Sequence, residues 1–199
     1  HHAIEFYFRA RLGGKKPTLK QVYKAFEDAW SSEGFVSRSH EEQRLKRGRE
    51  VIGQSYRQHE ADGHLPLMVE QAFSFVLPEL KVRIAGRYDA VFPMQPGGAL
   101  DEGIEIRDFK TSQAKDQSAA DRKLKDSIQM AIYALAWEKT TKTPAGSVCL
   151  DFVEAGLQAK SSKFDHAKTL AKIEKVAKGI AAGDFRPSGS GIYKIERPW

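Results

Sequence analysis

The spacing of apolar positions changes period near residue 63, dividing the chain into a helical opening and an α/β remainder. Over residues 1–12, Ile4, Tyr7, Phe8 and Arg11 recur at helical spacing, and Gly13-Gly14 ends the run. Pro17 and Thr18 open a second helix through about Trp30, with Leu19, Val22, Tyr23, Phe26 and Trp30 on one stripe. Gly34 breaks it. Ser37 or Ser39 then caps a long polar helix to about His59, and Glu42 follows Ser39 at the spacing of a capping box. Beyond Gly63 and Pro66 the pattern alternates as strands do, over 67–77 and 81–93, with Pro78 between them. The Pro96-Gly97-Gly98 loop leads into a third strand over 103–110. A helix is expected over 118–139 with Leu124, Ile128, Ala131, Ile132 and Leu135 inward. Next come a strand over 147–153, a polar partner strand over 158–164, and a last helix from the cap Asp165 to about Ile180.

A helix between strands of one sheet implies a right-handed crossover. The expected architecture is therefore α/β: a central mixed β-sheet flanked by helices, with an N-terminal helical segment. The 199 residues suit one sizeable core. They read as a single domain over 1–199, with a helical part over 1–62 and an α/β core over 63–199.

Composition narrows the partners. Hydrophobic residues make up 41% and charged residues 29%, ordinary for a globular protein, and no apolar run approaches the roughly 20 residues of a spanning helix. The opening residues lack the order of a secretory signal, so neither a membrane partner nor export is expected. One cysteine, Cys149, rules out an internal disulfide and a cysteine-only metal cluster, and fits a cytoplasmic setting. Its place mid-strand among apolar residues reads as core. The net charge of +6 points to an anionic partner, most commonly nucleic acid.

Chemistry concentrates in GRYDAVF (86–92) and EIRDFKTS (105–112). Residues two apart in a strand share a face, so Asp108 and Lys110 project to the side of Ile104 and Ile106. Charges on such an apolar face need partners. Asp89, on the preceding strand, can be folded back beside them. Two carboxylates and an ammonium would then converge, a grouping suited to phosphodiester hydrolysis: Mg²⁺ takes a few carboxylate oxygens plus water and phosphate, and the lysine stabilises growing charge. The plainer alternative is a surface salt bridge between Lys110 and either acid.

These residues resemble the RecB-like branch of the PD-(D/E)XK nucleases, in which a G-R-x-D strand, a D-x-K strand and a Q-x-x-x-Y helix follow in that order. Here the helix reads QMAIY, with Gln129 and Tyr133 four apart. The resemblance implies a restriction-endonuclease-like core and a deoxyribonuclease, exonuclease more than endonuclease, the alternative being a catalytically silent DNA-binding or docking module on the same fold. It also implies Asp89, Asp108 and Lys110 as the catalytic set, and Mg²⁺ (with Mn²⁺ able to substitute) held by Asp89, Asp108 and a histidine of the first helix. HHAIEFY supplies that histidine as His1, with Glu5 completing the pattern, and the run straight into a helix favours native histidines over a tag remnant. Gln129 and Tyr133 would sit beside the site. Glu70, in VEQAF, would be a fourth site carboxylate or a structural partner of a basic residue.

The stretch AWSSEGFVSRSHEEQRLKRG (29–48) is similar to the region preceding the nuclease core in UvrD/Rep-type helicases. It implies DNA, single-stranded by preference, as substrate, a helicase domain or subunit as partner, a role in repair or recombination, and a chain excised from a larger helicase–nuclease. His40 and Glu41 read as structural. The tail FRPSGSGIYKIERPW lacks the cysteines by which many relatives hold an iron–sulfur centre, so none is expected. Nor is there a P-loop, which places any ATPase elsewhere. Lys115, Arg122, Lys123 and Lys125, nearest the catalytic loop, are the expected DNA contacts. The lysines of the last helix (Lys168, Lys172, Lys175, Lys178) read as a solvated face, and the basic cluster of the third helix is open to either role.

Overall fold

In the computed structural model, residues 1–185 are described; the tail on which the iron–sulfur expectation rests lies outside them from Arg186 onward. Three helices open the chain: α1 (His2–Leu12), α2 (Leu19–Asp28) and α3 (Arg38–Asp62). Thr18 and Gln21 cap α2 reciprocally. Ser37, rather than Ser39, caps α3, its hydroxyl accepting from the His40 N–H at 3.1 Å. Ser39 is already inside the helix, so the expected box with Glu42 does not form. Gly63, at φ 62°, closes α3 in the left-handed conformation that glycine adopts at least cost.

The sheet contains β1 (Met68–Leu77), β2 (Val82–Pro93), β3 (Ile104–Lys110), β4 (Ser147–Phe152) and β5 (Leu157–Ser161), in the spatial order β1-β2-β3-β4-β5. Neighbours pair antiparallel except β3 and β4, which are parallel. Their crossover contains α4 (Gln117–Asp126) and α5 (Ile128–Thr141), and α6 (His166–Ala181) packs against α5. The sheet is mixed and covered on both faces, as the pattern implied. One core lies between the sheet and α4, α5 and α6, and includes Phe73, Tyr88, Ile104, Ile106, Tyr133, Trp137 and Leu150. The other lies under the opening helices, where Tyr7, Phe8, Val22 and Ile52 meet Ala90, Phe92 and Phe109.

The expected helix over 118–139 is two helices. Ser127 is extended (φ −73°, ψ 105°), and its hydroxyl accepts from the Met130 N–H at 3.3 Å, so it caps α5 instead of continuing α4. Likewise Asp116, not Ser118, starts α4. The break resets the helix phase. Met130, Tyr133, Ala134 and Trp137 turn inward, whereas Ile128, expected in the core, is 39% exposed.

Candidate active site

β3 has a strand on each side and a helical layer on each face, so its alternation sorts side chains between two cores. Ile104, Ile106, Asp108 and Lys110 face α4 and α5; Glu105, Arg107 and Phe109 face the opening helices. Asp108 is buried, at 2% exposure. One residue of α5 holds both charges. Gln129 Nε2 donates to Asp108 Oδ1 at 2.8 Å, and its Oε1 accepts from Lys110 Nζ at 2.8 Å. A carboxylate only accepts and an ammonium only donates, so this pair fixes the orientation of the amide between them. The same amide reaches the Tyr133 hydroxyl at 3.0 Å, one helical turn on. Sequence alone left open that these two lie on a helix surface beside the core; Tyr133 is instead buried, edge-on to Phe73 and Tyr88.

Asp89 arrives from β2. Ala90 pairs with Arg107 and Val91 with Ile106, so one further step sets Asp89 beside Asp108. Asp89 Oδ2 accepts from the Phe109 N–H at 2.9 Å, a side chain standing in for a ladder partner. The pleat of β2 changes phase at this point: Tyr88 belongs to the core under α5, but Ala90 and Phe92 belong to the core under α1. The neighbouring strand changes with it, and the Cα pairing that resumes on either side keeps one register. Gly86, start of the G-R-x-D segment, lies under the Phe73 ring; a Cβ there would come within 2.5 Å of it.

His1, preceding α1, brings its Nδ1 to 3.4 Å from Asp89 Oδ2. The Asp89 carboxylate raises the imidazole's pKa, against the opposing effect of burial. Burial pushes the Asp108 carboxyl up, nearby Asp89 adds to this, and Lys110 opposes it. The Lys110 ammonium lies 2.7 Å from Asp108 Oδ2, an ion pair that leaves this buried oxygen no other donor. His1, Asp89, Asp108 and Lys110 thus converge. Among the described residues, no three His, Cys, Asp or Glu side chains are gathered closely enough to hold an ion as they stand.

Glu5 does not join them; it pairs with Arg9 at 2.7 Å and His2 at 3.6 Å. Glu70 pairs with Arg87 at 3.3 Å and takes a positive φ of 51°, for which VEQAF contains no glycine or asparagine as a signal. Of the expected DNA contacts, Lys123 donates to Gln113 O at 2.6 Å and sits over the Phe152 ring, and Arg122 donates to the Ser118 hydroxyl at 2.9 Å. Lys115 and Lys125 are exposed. Four of the five α3 arginines are engaged: Arg38 with Glu42, Arg44 and Arg47 with Glu154, and Arg49 with Glu27. His40 stands edge-on to Phe35, and Glu41 accepts from the Trp30 indole, which ties α3 to the end of α2. A cavity of about 970 Å³ lies between β1 and the C-terminal end of α5, and none of the four converging residues lines it.

With this geometry in view, the comparisons give a class. The chain matches the model of the PD-(D/E)XK nuclease superfamily over residues 1–191 and belongs to that superfamily. It is a nuclease-family chain with the restriction-endonuclease-like α/β fold. Among solved structures it is similar to a protein of Eubacterium rectale named as a candidate exonuclease, at 13% identity and a TM-score of 0.47, covering 92% of this chain and 67% of that one. No curated protein sequence matches it. Among the described residues, no helix is long and apolar enough to cross a membrane.

Proposed function

We propose that the chain is a metal-dependent deoxyribonuclease whose catalytic residues are Asp89, Asp108 and Lys110. The observation that carries this reading is the convergence of Asp108, a buried carboxylate paired with the Lys110 ammonium, with a second carboxylate, Asp89, and a half-exposed imidazole. Two neighbouring carboxylates repel one another, and a cation between them would offset that repulsion. Two carboxylates suit Mg²⁺ or Mn²⁺, so Asp89 and Asp108, with His1 beside them, are the residues that would hold the ion. When bound, such an ion polarises the phosphoryl oxygen and acidifies a water.

The chain's own groups supply the rest. Lys110, held between Gln129 and Asp108 and 30% exposed, is placed to donate to the oxygen that gains charge as phosphorus is attacked. Gln129 keeps that ammonium and Asp108 in fixed relation, and Tyr133 steadies Gln129 from the core side. Glu70 takes the structural role, as the partner of Arg87. Lys115, Arg122, Lys123 and Lys125 are the proposed DNA contacts, Lys115 and Lys125 being exposed. Exonucleolytic action on single-stranded DNA, and service as the nuclease module of a repair or recombination helicase, are supported by the sequence resemblance over residues 29–48 and by the motif order.

The test is cleavage of end-labelled single- and double-stranded DNA with Mg²⁺, Mn²⁺ or EDTA, by wild type, Asp108→Ala and Lys110→Ala. Metal-dependent cutting that both substitutions abolish is expected, and a product ladder from one end would mark an exonuclease. Undiminished cutting by either variant would overturn the assignment.

A further inference from the structure

Among the described residues, four lysines without a carboxylate partner gather around one cleft outside the catalytic centre. A cleft of about 470 Å³ opens between α4, the first turn of α5, the segment after β5, and α6. Its rim carries Lys125 from α4, Lys163 from the segment after β5, and Lys168 and Lys172 from α6. All four are exposed, and none has a carboxylate partner among the described residues, unlike the four engaged arginines of α3. The acids on the rim are already engaged. Asp121 accepts from Gln117 Nε2 at 2.8 Å, and Asp165 caps α6 through the Lys168 N–H at 2.9 Å. Lys160 also lines the cleft but is tied to Glu105 at 2.8 Å. Like charges from three separate elements repel one another, and an anion spanning them would offset that repulsion.

The cleft and the catalytic centre share the first turn of α5. Gln129 points to Asp108 and Lys110, while Ile128, Met130 and Ala131 line the cleft. The two sites thus flank one turn of α5, so an extended polyanion can occupy both. We propose that this cleft is a second, non-catalytic binding site for the sugar–phosphate backbone of the strand being cut, with Lys125, Lys163, Lys168 and Lys172 as its phosphate contacts. This rests on the DNA nuclease reading and adds to it the place where the uncut part of the strand is held. The α6 lysines, which the sequence presents as a solvated face, become a binding surface because Lys125 and Lys163 complete the ring around them.

The test compares two variants with the same reduction in charge: Lys163→Gln/Lys168→Gln/Lys172→Gln in the cleft, and Lys15→Gln/Lys20→Gln/Lys81→Gln on distant exposed sites. Binding of a fluorescent single strand is followed by anisotropy in EDTA over a range of salt. The cleft variant should bind at least tenfold more weakly at low salt, and its log–log salt slope should be shallower by about 2, at roughly 0.7 for each phosphate no longer neutralised. The distant variant should keep the wild-type slope. Equal effects of the two variants, or an unchanged slope in the cleft variant, would overturn the site while leaving a cutting wild-type enzyme intact. A wild type that neither binds nor cuts any strand would bring down both readings together.

Discussion

β3 carries two acid–base pairs, each with its members two residues apart, on opposite faces of one strand. Glu105 and Arg107 form a closed set. Arg107 Nε and Nη2 both donate to Glu105 Oε1, at 3.0 and 2.6 Å, and its guanidinium lies 4.1 Å from the centre of the Phe92 ring. Arg107 also approaches Asp151 at 3.6 Å, and the other Glu105 oxygen takes Lys160 and Ser147. Burial pushes the Glu105 carboxyl up, but Arg107 and Lys160 outweigh it and leave the group below its ordinary range. Asp108 and Lys110 form an open set, with a buried oxygen whose one partner is that ammonium, a carboxyl pushed up, and an ammonium that reaches solvent. The spacing of acid and base is therefore no guide to role. Saturation is: a pair whose partners are all supplied by the fold stabilises it, and a pair left incomplete has capacity for something else.

The largest expected contrast comes from removing the base of each pair. Lys110→Ala should reduce cleavage by about a thousandfold or more, with a smaller loss of melting temperature than Arg107→Ala because Lys110 is 30% exposed. Arg107→Ala leaves two buried carboxylates short of a cation, which costs about 3 kcal/mol or more. Its melting temperature should fall by roughly 10 °C for a chain of this size, with cleavage per folded molecule retained. Thermal melts and rates corrected for folded fraction would decide it. The opposite assignment of losses would break the comparison.

A smaller effect tests how the closed face responds to acid. His59 on α3 is 6% exposed, packs against Tyr7 and Phe8 of α1, and has no hydrogen-bond partner at Nδ1. Burial lowers its pKa to about 4. The unfolded chain, at the ordinary histidine value of about 6.5, binds the proton more readily, so stability falls as pH drops through the window between these values. By linkage, about 2 kcal/mol is lost between pH 7 and pH 5. His1, with its raised pKa, acts in the opposite sense, so the wild type must be read against His59→Phe. The wild-type melting temperature should fall more steeply over that range than the variant's; parallel curves would remove His59 as the cause.

The motifs that build the site were legible because they are local. Asp108 and Lys110 share a face by strand periodicity alone, and Gln129 and Tyr133 share one by helical periodicity. What escaped the sequence depended on distant partners. A serine inside a helical pattern can continue the helix or cap a new one, and only the packing of α5 on the sheet selects the cap at Ser127. The α3 arginines look free in sequence because Glu154, which holds two of them, lies far along the chain. The pairing of Glu105 with Arg107 did have a local signal, in EIRDFK, where charged residues alternate with apolar ones in a strand flanked on both sides. That signal is the same one that marks Asp108 and Lys110, so it cannot by itself sort a closed pair from an open one.

Glu70 gives the smallest effect and separates backbone from side chain. It sits opposite Asp89, where β1 and β2 change phase, with φ 51° in a region most side chains avoid. Glycine adopts that conformation freely and asparagine tolerates it, whereas a β-branched residue does not. If the turn of the backbone is what aims Asp89, Glu70→Gly and Glu70→Asn should keep near-wild-type stability and cleavage. Glu70→Val should then lose about 1 kcal/mol and cut more slowly because Asp89 is displaced. Rates and melts for the three variants read this directly. Loss of cleavage in all three, with glycine and asparagine as stable as wild type, would transfer the role to the carboxylate and extend the open set from β3 to the edge of the sheet.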